Sequence, residues 1–287
     1  MQTLSNLFIS AALVLTASLT VALQAAAEPI LLWPDDPALN APTGMGEPKT
    51  QGDKTRVQNI STPHILPYLL PDSSAPAPVI LLVPGGGYSK LVPSVHEPIA
   101  AFLNERGIHA IIVMYRCPTD RNKGEALPDL QRAIRLVRSR AAEWNIDPQR
   151  VGVLGSSAGG NLCVRTTSAN GEAAYPAVDA IDEASAKPDF SVLLYPAWLG
   201  HRSELTPGDF VNMPEDMGPT VIFSARDDKH FYSSEIYGKA LREAGRAVSE
   251  HYFDTGDHGF SIPAPGAAAV WPELFHDWLV EQALVRQ

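Results

Sequence analysis

One stretch of this 287-residue chain restricts its fold more than any other. It is Gly155-Ser-Ser157-Ala-Gly159, a G-x-S-x-G run between a strand pattern, Arg150-Val-Gly-Val-Leu154, and the apolar start of a helix, Gly160-Asn-Leu-Cys-Val164. So abrupt a strand-to-helix turn lifts its serine clear of the strand end, and only small neighbours fit around it. The turn also puts the amide of Ala158 at a helix N-terminus, where it can donate toward developing negative charge. Glycine and serine are common in loops. The flanking strand and helix are what make Ser157 a candidate nucleophile.

The rest of the chain supplies a matching frame. Pro78-Val-Ile-Leu-Leu-Val83 is a continuous apolar run, as a strand buried on both faces requires. Further strands are expected at Ile108–Tyr115, Phe190–Tyr195, Thr220–Ser224 and Val248–Phe253, with short antiparallel edge strands at Arg56–Ile60 and His64–Tyr68. Helices are expected over Ser94–Arg106, Leu127–Trp144, Ser233–Ala244 and Ala267–Leu284. In the second of these Leu130, Ala133, Ile134, Val137 and Ala141 share one face, while Arg132, Arg135, Arg138 and Arg140 lie largely off it and read as a solvated surface. Strands alternating with helices predict an α/β fold with a mostly parallel sheet and helices on both faces.

The first 27 residues carry no charged side chain. They hold an apolar run from Leu7 to Leu23 and end in Ala25-Ala-Ala27, the pattern of a secretory signal peptide cleaved after Ala27. The expectation is a secreted or periplasmic protein with residues 28–287 as a single domain and no stable membrane association after cleavage. The competing reading is an uncleaved anchor, since the run is just long enough to span a bilayer. The formal charge of −10 argues against nucleic acid as a partner. Cys117 and Cys163 read as buried free thiols, a disulfide being the alternative. The eight histidines show no metal-ligand spacing, so neither metal nor cofactor is expected.

A nucleophilic serine needs a base, and the base an orienting carboxylate. His258 lies between Gly256 and Gly259 in the loop after the last expected strand. Asp227 and Asp228 follow the strand before it, and only one of them can face the imidazole. Asp227, the first of the pair, is favoured here, with Asp228 as the alternative acid. A second oxyanion donor is expected at Gly86 and Gly87, in Pro84-Gly-Gly-Gly-Tyr88 at the end of the first central strand.

With these residues in place the chain resembles the α/β-hydrolase superfamily. More narrowly it resembles bacterial esterases related to acetyl-xylan and feruloyl esterases and to the hormone-sensitive-lipase group. The resemblance is carried by Pro84–Tyr88, Tyr115-Arg116, Asp129–Arg135, Asp147–Gly152, Gly155–Asn161, Tyr195-Pro196, Asp227-Asp228 and Asp257–Phe260. It departs in having Pro84 where the lipase-like group has His, and in the Lys229-His230-Phe231 that follows Asp228. The resemblance implies hydrolysis of carboxylic esters. The Tyr195–Thr220 connection is too short for a helical cap, which points to an open site for short acyl groups on polar alcohols such as carbohydrate. Tyr88 and Trp198 are candidate substrate-binding rings for a sugar. The alternatives are a serine peptidase of the oligopeptidase type, or a non-catalytic protein of the same fold.

Overall fold

The computed structural model describes residues 28–36, 44–52, 54–71, 74–121 and 124–285. The expected signal segment lies outside them. In chain order the elements are β1 (Ile30–Leu31), β2 (Met45–Gln51), β3 (Lys54–Ile60), β4 (His64–Tyr68), β5 (Ala77–Val83), α1 (Glu97–Asn104) and β6 (His109–Met114). Then come α2 (Leu127–Ser139), β7 (Ile146–Ser156), α3 (Ala158–Ala169), β8 (Phe190–Leu194), β9 (Gly200–His201) and β10 (Thr206–Pro207). The chain continues through β11 (Thr220–Ala225), α4 (Phe231–Glu243), β12 (Val248–Phe253) and α5 (Trp271–Glu281).

Eight strands form one sheet in the order β1-β4-β6-β5-β7-β8-β11-β12. From β6 to β12 the pairings are parallel; β4 runs antiparallel to β6, and β1 to β4. The central strands are apolar without alternation because helices cover both faces. Val79 through Val83 have no exposed surface, and burying each such side chain contributes about 1.5–3 kcal/mol. The C-terminal ends of β5, β7, β11 and β12 lie along one edge of this sheet, so the loops that follow them meet there.

The expected elements are present, with shifts at their ends. The helix foreseen from Ser94 begins at Glu97, after a 3₁₀ turn at Pro93–Val95. The helix foreseen to Trp144 stops at Ser139, and the last one spans Trp271–Glu281 behind a 3₁₀ turn at Gly266–Val270. Arg56–Ile60 is not an edge of the main sheet. It belongs to β3, which pairs with β2 as a separate ribbon and touches the body through single bridges, Val57 to Leu91 and Ile60 to Cys117.

The arginines of α2 overturn the surface reading. Arg132 is buried, with Nη2 2.5 Å from Asp179 Oδ2 and Nη1 3.0 Å from Asp182 Oδ1. Arg135 is buried as well, 3.5 Å from Asp182, and Arg138 meets Asp189 at 3.1 Å. The segment around Asp179–Asp182 folds over this face of α2, and its carboxylates neutralise charges that local periodicity assigns to solvent. Cys117 and Cys163 are both buried and unbonded to each other. No helix among the described residues is long and apolar enough to cross a membrane.

Candidate active site

Ser157 stands between β7 and α3 with φ 54° and ψ −117°, a conformation costly for any residue with a Cβ. Its surroundings hold it there. Its amide donates to Leu194 O (3.0 Å), and its carbonyl accepts from Asn161 N and Ala197 N, both at 3.1 Å. A Cβ on Gly159 would overlap the backbone carbonyl of Val83, and one on Gly155 would overlap Gly159 and the Cys163 sulfur. Hydrogen there lets α3 start flush against the ends of β5 and β7.

His258 Nε2 lies 2.8 Å from Ser157 Oγ, and its Nδ1 lies 2.6 Å from Asp228 Oδ2. The carboxylate in contact with the imidazole is therefore Asp228, not the favoured Asp227. The turn after β11 decides this. Asp228 N donates to Ala225 O at 3.1 Å, which folds Asp228 back over the strand end, where its side chain is fully buried. Its other oxygen accepts from the His230 amide at 2.8 Å. Asp227 is exposed and does a different job: it accepts from the amides of Gly256 (3.1 Å) and Asp257 (2.8 Å), anchoring the loop that carries His258.

The glycine loop runs past this group. Gly86 and Gly87 have φ of 136° and 69°, open to glycine at low cost. A Cβ on Gly85 would sit 2.7 Å from Ser156 O and 3.0 Å from Ser157 Cβ, so the loop lies against the serine turn. Gly85 N donates to Ser156 Oγ at 3.1 Å, and Tyr115 Oη donates to Pro84 O at 2.7 Å. Among the described residues no acceptor meets the amides of Gly86, Gly87 or Ala158.

Tyr88 does not face the site. It is 3% exposed and its hydroxyl donates to Asn161 Oδ1 at 2.9 Å, so it is a packing residue rather than a sugar platform. Burial, the largest influence on it, raises its phenol pKa. Trp198 does line the cavity above Ser157, which measures about 500 Å³.

A model of the BD-FAE family matches residues 67–223, more than half of the chain. The chain belongs to the BD-FAE family. The match takes in the glycine loop and the serine turn and ends before Asp228 and His258. An acetylxylan esterase of Xylanibacter ruminicola is 30% identical over 240 residues, covering 70% of this BD-FAE chain but 43% of that protein. The chain thus spans under half the length of this curated relative. Among solved structures, an acetyl ester-xyloside bifunctional hydrolase from Caldicellulosiruptor lactoaceticus superposes with a TM-score of 0.73 at 28% identity, over 91% of this chain and 98% of that one. A Thermogutta terrifontis esterase shares the fold at TM-score 0.65 and 23% identity, over 84% of this chain and 94% of its own. The fold is that of the α/β-hydrolases.

Sequence reasoning assigned no role to three further residues of this candidate site. Asn161 Nδ2 donates to Ala197 O (3.2 Å) and Trp198 O (2.9 Å), tying α3 to the segment after β8. Tyr195, held at φ 36°, donates its hydroxyl to Phe260 O (2.7 Å) and meets the His258 ring in an edge contact with ring centroids 5.0 Å apart. His230 lies 5.1 Å from His258 and lines the same cavity. Its pKa is lowered, first by burial and then by the neighbouring His258, so it stays neutral at neutral pH. The signals for these were Asn161 at the end of the serine-turn motif, Tyr195-Pro196, and His230 in the Lys229-His230-Phe231 that follows Asp228, and none marked their partners. Among the described residues no group of three or more His, Cys, Asp or Glu is placed to hold a metal ion.

Proposed function

We propose that this chain is an exported carboxylic ester hydrolase that removes short acyl groups, acetyl above all, from carbohydrate through a Ser157–His258–Asp228 triad. One observation carries the reading: the unbroken run of hydrogen bonds from Ser157 Oγ through His258 to the buried carboxylate of Asp228, at 2.8 and 2.6 Å. His258 Nε2 takes the Ser157 proton as Oγ attacks the acyl carbon. Asp228 stabilises the imidazolium and holds its tautomer. The amides of Gly86, Gly87 and Ala158 are the available donors for the tetrahedral oxyanion. His258 then passes the proton to the departing alkoxide, the alcohol leaves, and water activated by the same imidazole frees the acid from Ser157. The relatives named for acetyl esters of xylan support the substrate class, and the apolar segment ahead of Ala27 supports export.

Ser157→Ala tests the mechanism. With the fold kept, kcat on p-nitrophenyl acetate drops on the order of 10⁶-fold; near-normal hydrolysis by the variant refutes it.

Acyl preference belongs to the same reading. The cavity at Ser157 is walled by Gly85–Gly87, Ser89, Val92, Val95, Trp198 and lysine and arginine side chains, and the short connection from β8 to β11 adds no helical cap to extend its apolar surface for a long chain. A lipid pocket gains about 0.8 kcal/mol per buried CH₂. Acetate and butyrate esters are therefore expected to outperform decanoate, and kcat/KM rising steadily from C2 to C10 contradicts the short-acyl assignment.

A further inference from the structure

Next to the cavity at Ser157, across Trp198, lies a second cavity of about 850 Å³. Its walls come from α3, the start of α4, the short β8–β11 connection that takes the place of a cap, and Arg121 in the connection between β6 and α2. Three aromatic rings stand in it, and each carries a guanidinium. Arg121 lies over Trp198 at 4.6 Å, Arg165 over Phe210 at 3.8 Å and Arg202 over Tyr232 at 5.3 Å. Among the described residues none of these three arginines has a carboxylate at ion-pair distance. The one acidic side chain in the wall, Asp209, lies 3.7 Å from His201. Burial lowers the pKa of Arg165; a guanidinium nonetheless stays charged in proteins, so Arg165 is a cation with no carboxylate partner among the described residues.

The cavity at Ser157 continues this character. Lys54, Arg56, Lys90 and Lys229 line it, again with no ion pair among the described residues, and no acidic side chain joins them in the wall. In a chain with a formal charge of −10, two adjoining cavities gather unpaired cations around the scissile position. Guanidiniums stacked on rings lose little conformational freedom on binding, and their in-plane N–H forks match a carboxylate.

We infer that the cavity beside Trp198 is a subsite for a carboxylate-bearing sugar, so that the preferred substrate is an acyl ester on a glycan carrying a uronate near the esterified residue. The inference rests on the carbohydrate-ester reading above and adds the charge of the alcohol. Stacked arginines cover the ring faces that a neutral sugar would use, while a uronate supplies the missing counter-ion.

The test compares kcat/KM on p-nitrophenyl acetate, on acetylated neutral xylo-oligosaccharides, and on acetylated xylo-oligosaccharides bearing glucuronate. Binding of the same two oligosaccharides without acetyl groups is measured in parallel by calorimetry. The acidic oligosaccharide is expected to be preferred about tenfold at low salt and to lose that advantage in 0.5 M NaCl, beyond the reach of about 10 Å screening at 0.1 M. Arg121→Gln combined with Arg202→Gln is expected to erase the preference in both rate and binding while p-nitrophenyl acetate hydrolysis changes less than twofold. Equal binding of neutral and acidic oligosaccharides, or a preference that survives the double substitution, overturns the subsite. If p-nitrophenyl acetate is hydrolysed and neither acetylated oligosaccharide is, the carbohydrate-ester reading fails instead, and calorimetry still decides whether the cavity takes the acidic chain.

Discussion

Asp227 and Asp228 are adjacent, chemically identical, and placed in opposite environments. Asp228 is buried with one oxygen on His258 and the other on a backbone amide. Asp227 is exposed and ties down two amides of the histidine loop. In the proposed mechanism, removing the Asp228 charge leaves the imidazolium formed during attack without its partner and favours the wrong tautomer. Asp228→Asn is therefore expected to cut kcat about 10⁴-fold with the fold intact, as in other serine triads. Asp227→Asn keeps one acceptor for the loop and is expected to cost less than about tenfold, within the loss of a single exposed hydrogen bond. Steady-state rates on p-nitrophenyl acetate, with circular dichroism as a control for folding, separate the two. A larger loss at Asp227 would return the acid to that position. No residue-level signal in the sequence distinguishes the pair, because the choice is made by the Asp228–Ala225 turn and by a partner thirty residues downstream.

At the scale of elements, apolar periodicity located α2 but misjudged its polar face. Leu130, Ala133, Ile134 and Val137 are fully buried, as the spacing requires. The buried arginines on the other side depend on Asp179 and Asp182, which approach from a segment more than forty residues away. Asp182 accepts from Tyr175 Oη (2.5 Å) and Val178 N (2.8 Å) besides its arginine contacts. Burial alone would raise its pKa; the Tyr175, Val178 and Arg132 contacts outweigh that and hold it at about 2. Asp182→Ala strands Arg132 in the interior with one carboxylate fewer. It is expected to destabilise the protein by about 3–5 kcal/mol, the cost of breaking a buried pair from one side. Urea unfolding measures this as a lower midpoint at unchanged slope; a midpoint within error of wild type would show that this face is solvated after all.

Across the whole molecule, burial holds several histidines neutral. His96, with no exposed surface, is shifted by burial from its ordinary 6.5 to about 3. Burial also lowers His64 and His109. The unfolded chain takes up these protons first, since its histidines titrate near 6.5. Stability is therefore full above that pH and falls as the pH drops toward 3, by about 1.4 kcal/mol per pH unit for each histidine still neutral in the fold. Asp182 adds to the loss below its unfolded value of about 3.8. Urea midpoints taken at pH 7.5, 6, 5 and 4 are expected to decline throughout the acid arm; a constant midpoint from pH 7.5 to 5 would mean that these imidazoles protonate inside the fold at no cost.

What the sequence by itself determined is whatever depends on near neighbours along the chain. The serine turn is legible because a strand, two flanking glycines and a helix must all lie within a dozen residues of Ser157. The parallel sheet is legible because strands covered on both faces carry unbroken apolar runs. His258 is legible because it lies between Gly256 and Gly259 in the loop after the last expected strand. Tertiary structure alone decided which aspartate meets the histidine, whether Tyr88 faces substrate or Asn161, and where the arginines go. Each of those outcomes depends on groups brought together from distant segments, where burial and charge pairing outweigh local pattern. The cavity of stacked arginines beside Trp198 is the strongest case: Arg121, Arg165 and Arg202 are scattered along the chain, and only the packed fold turns them into one charged wall.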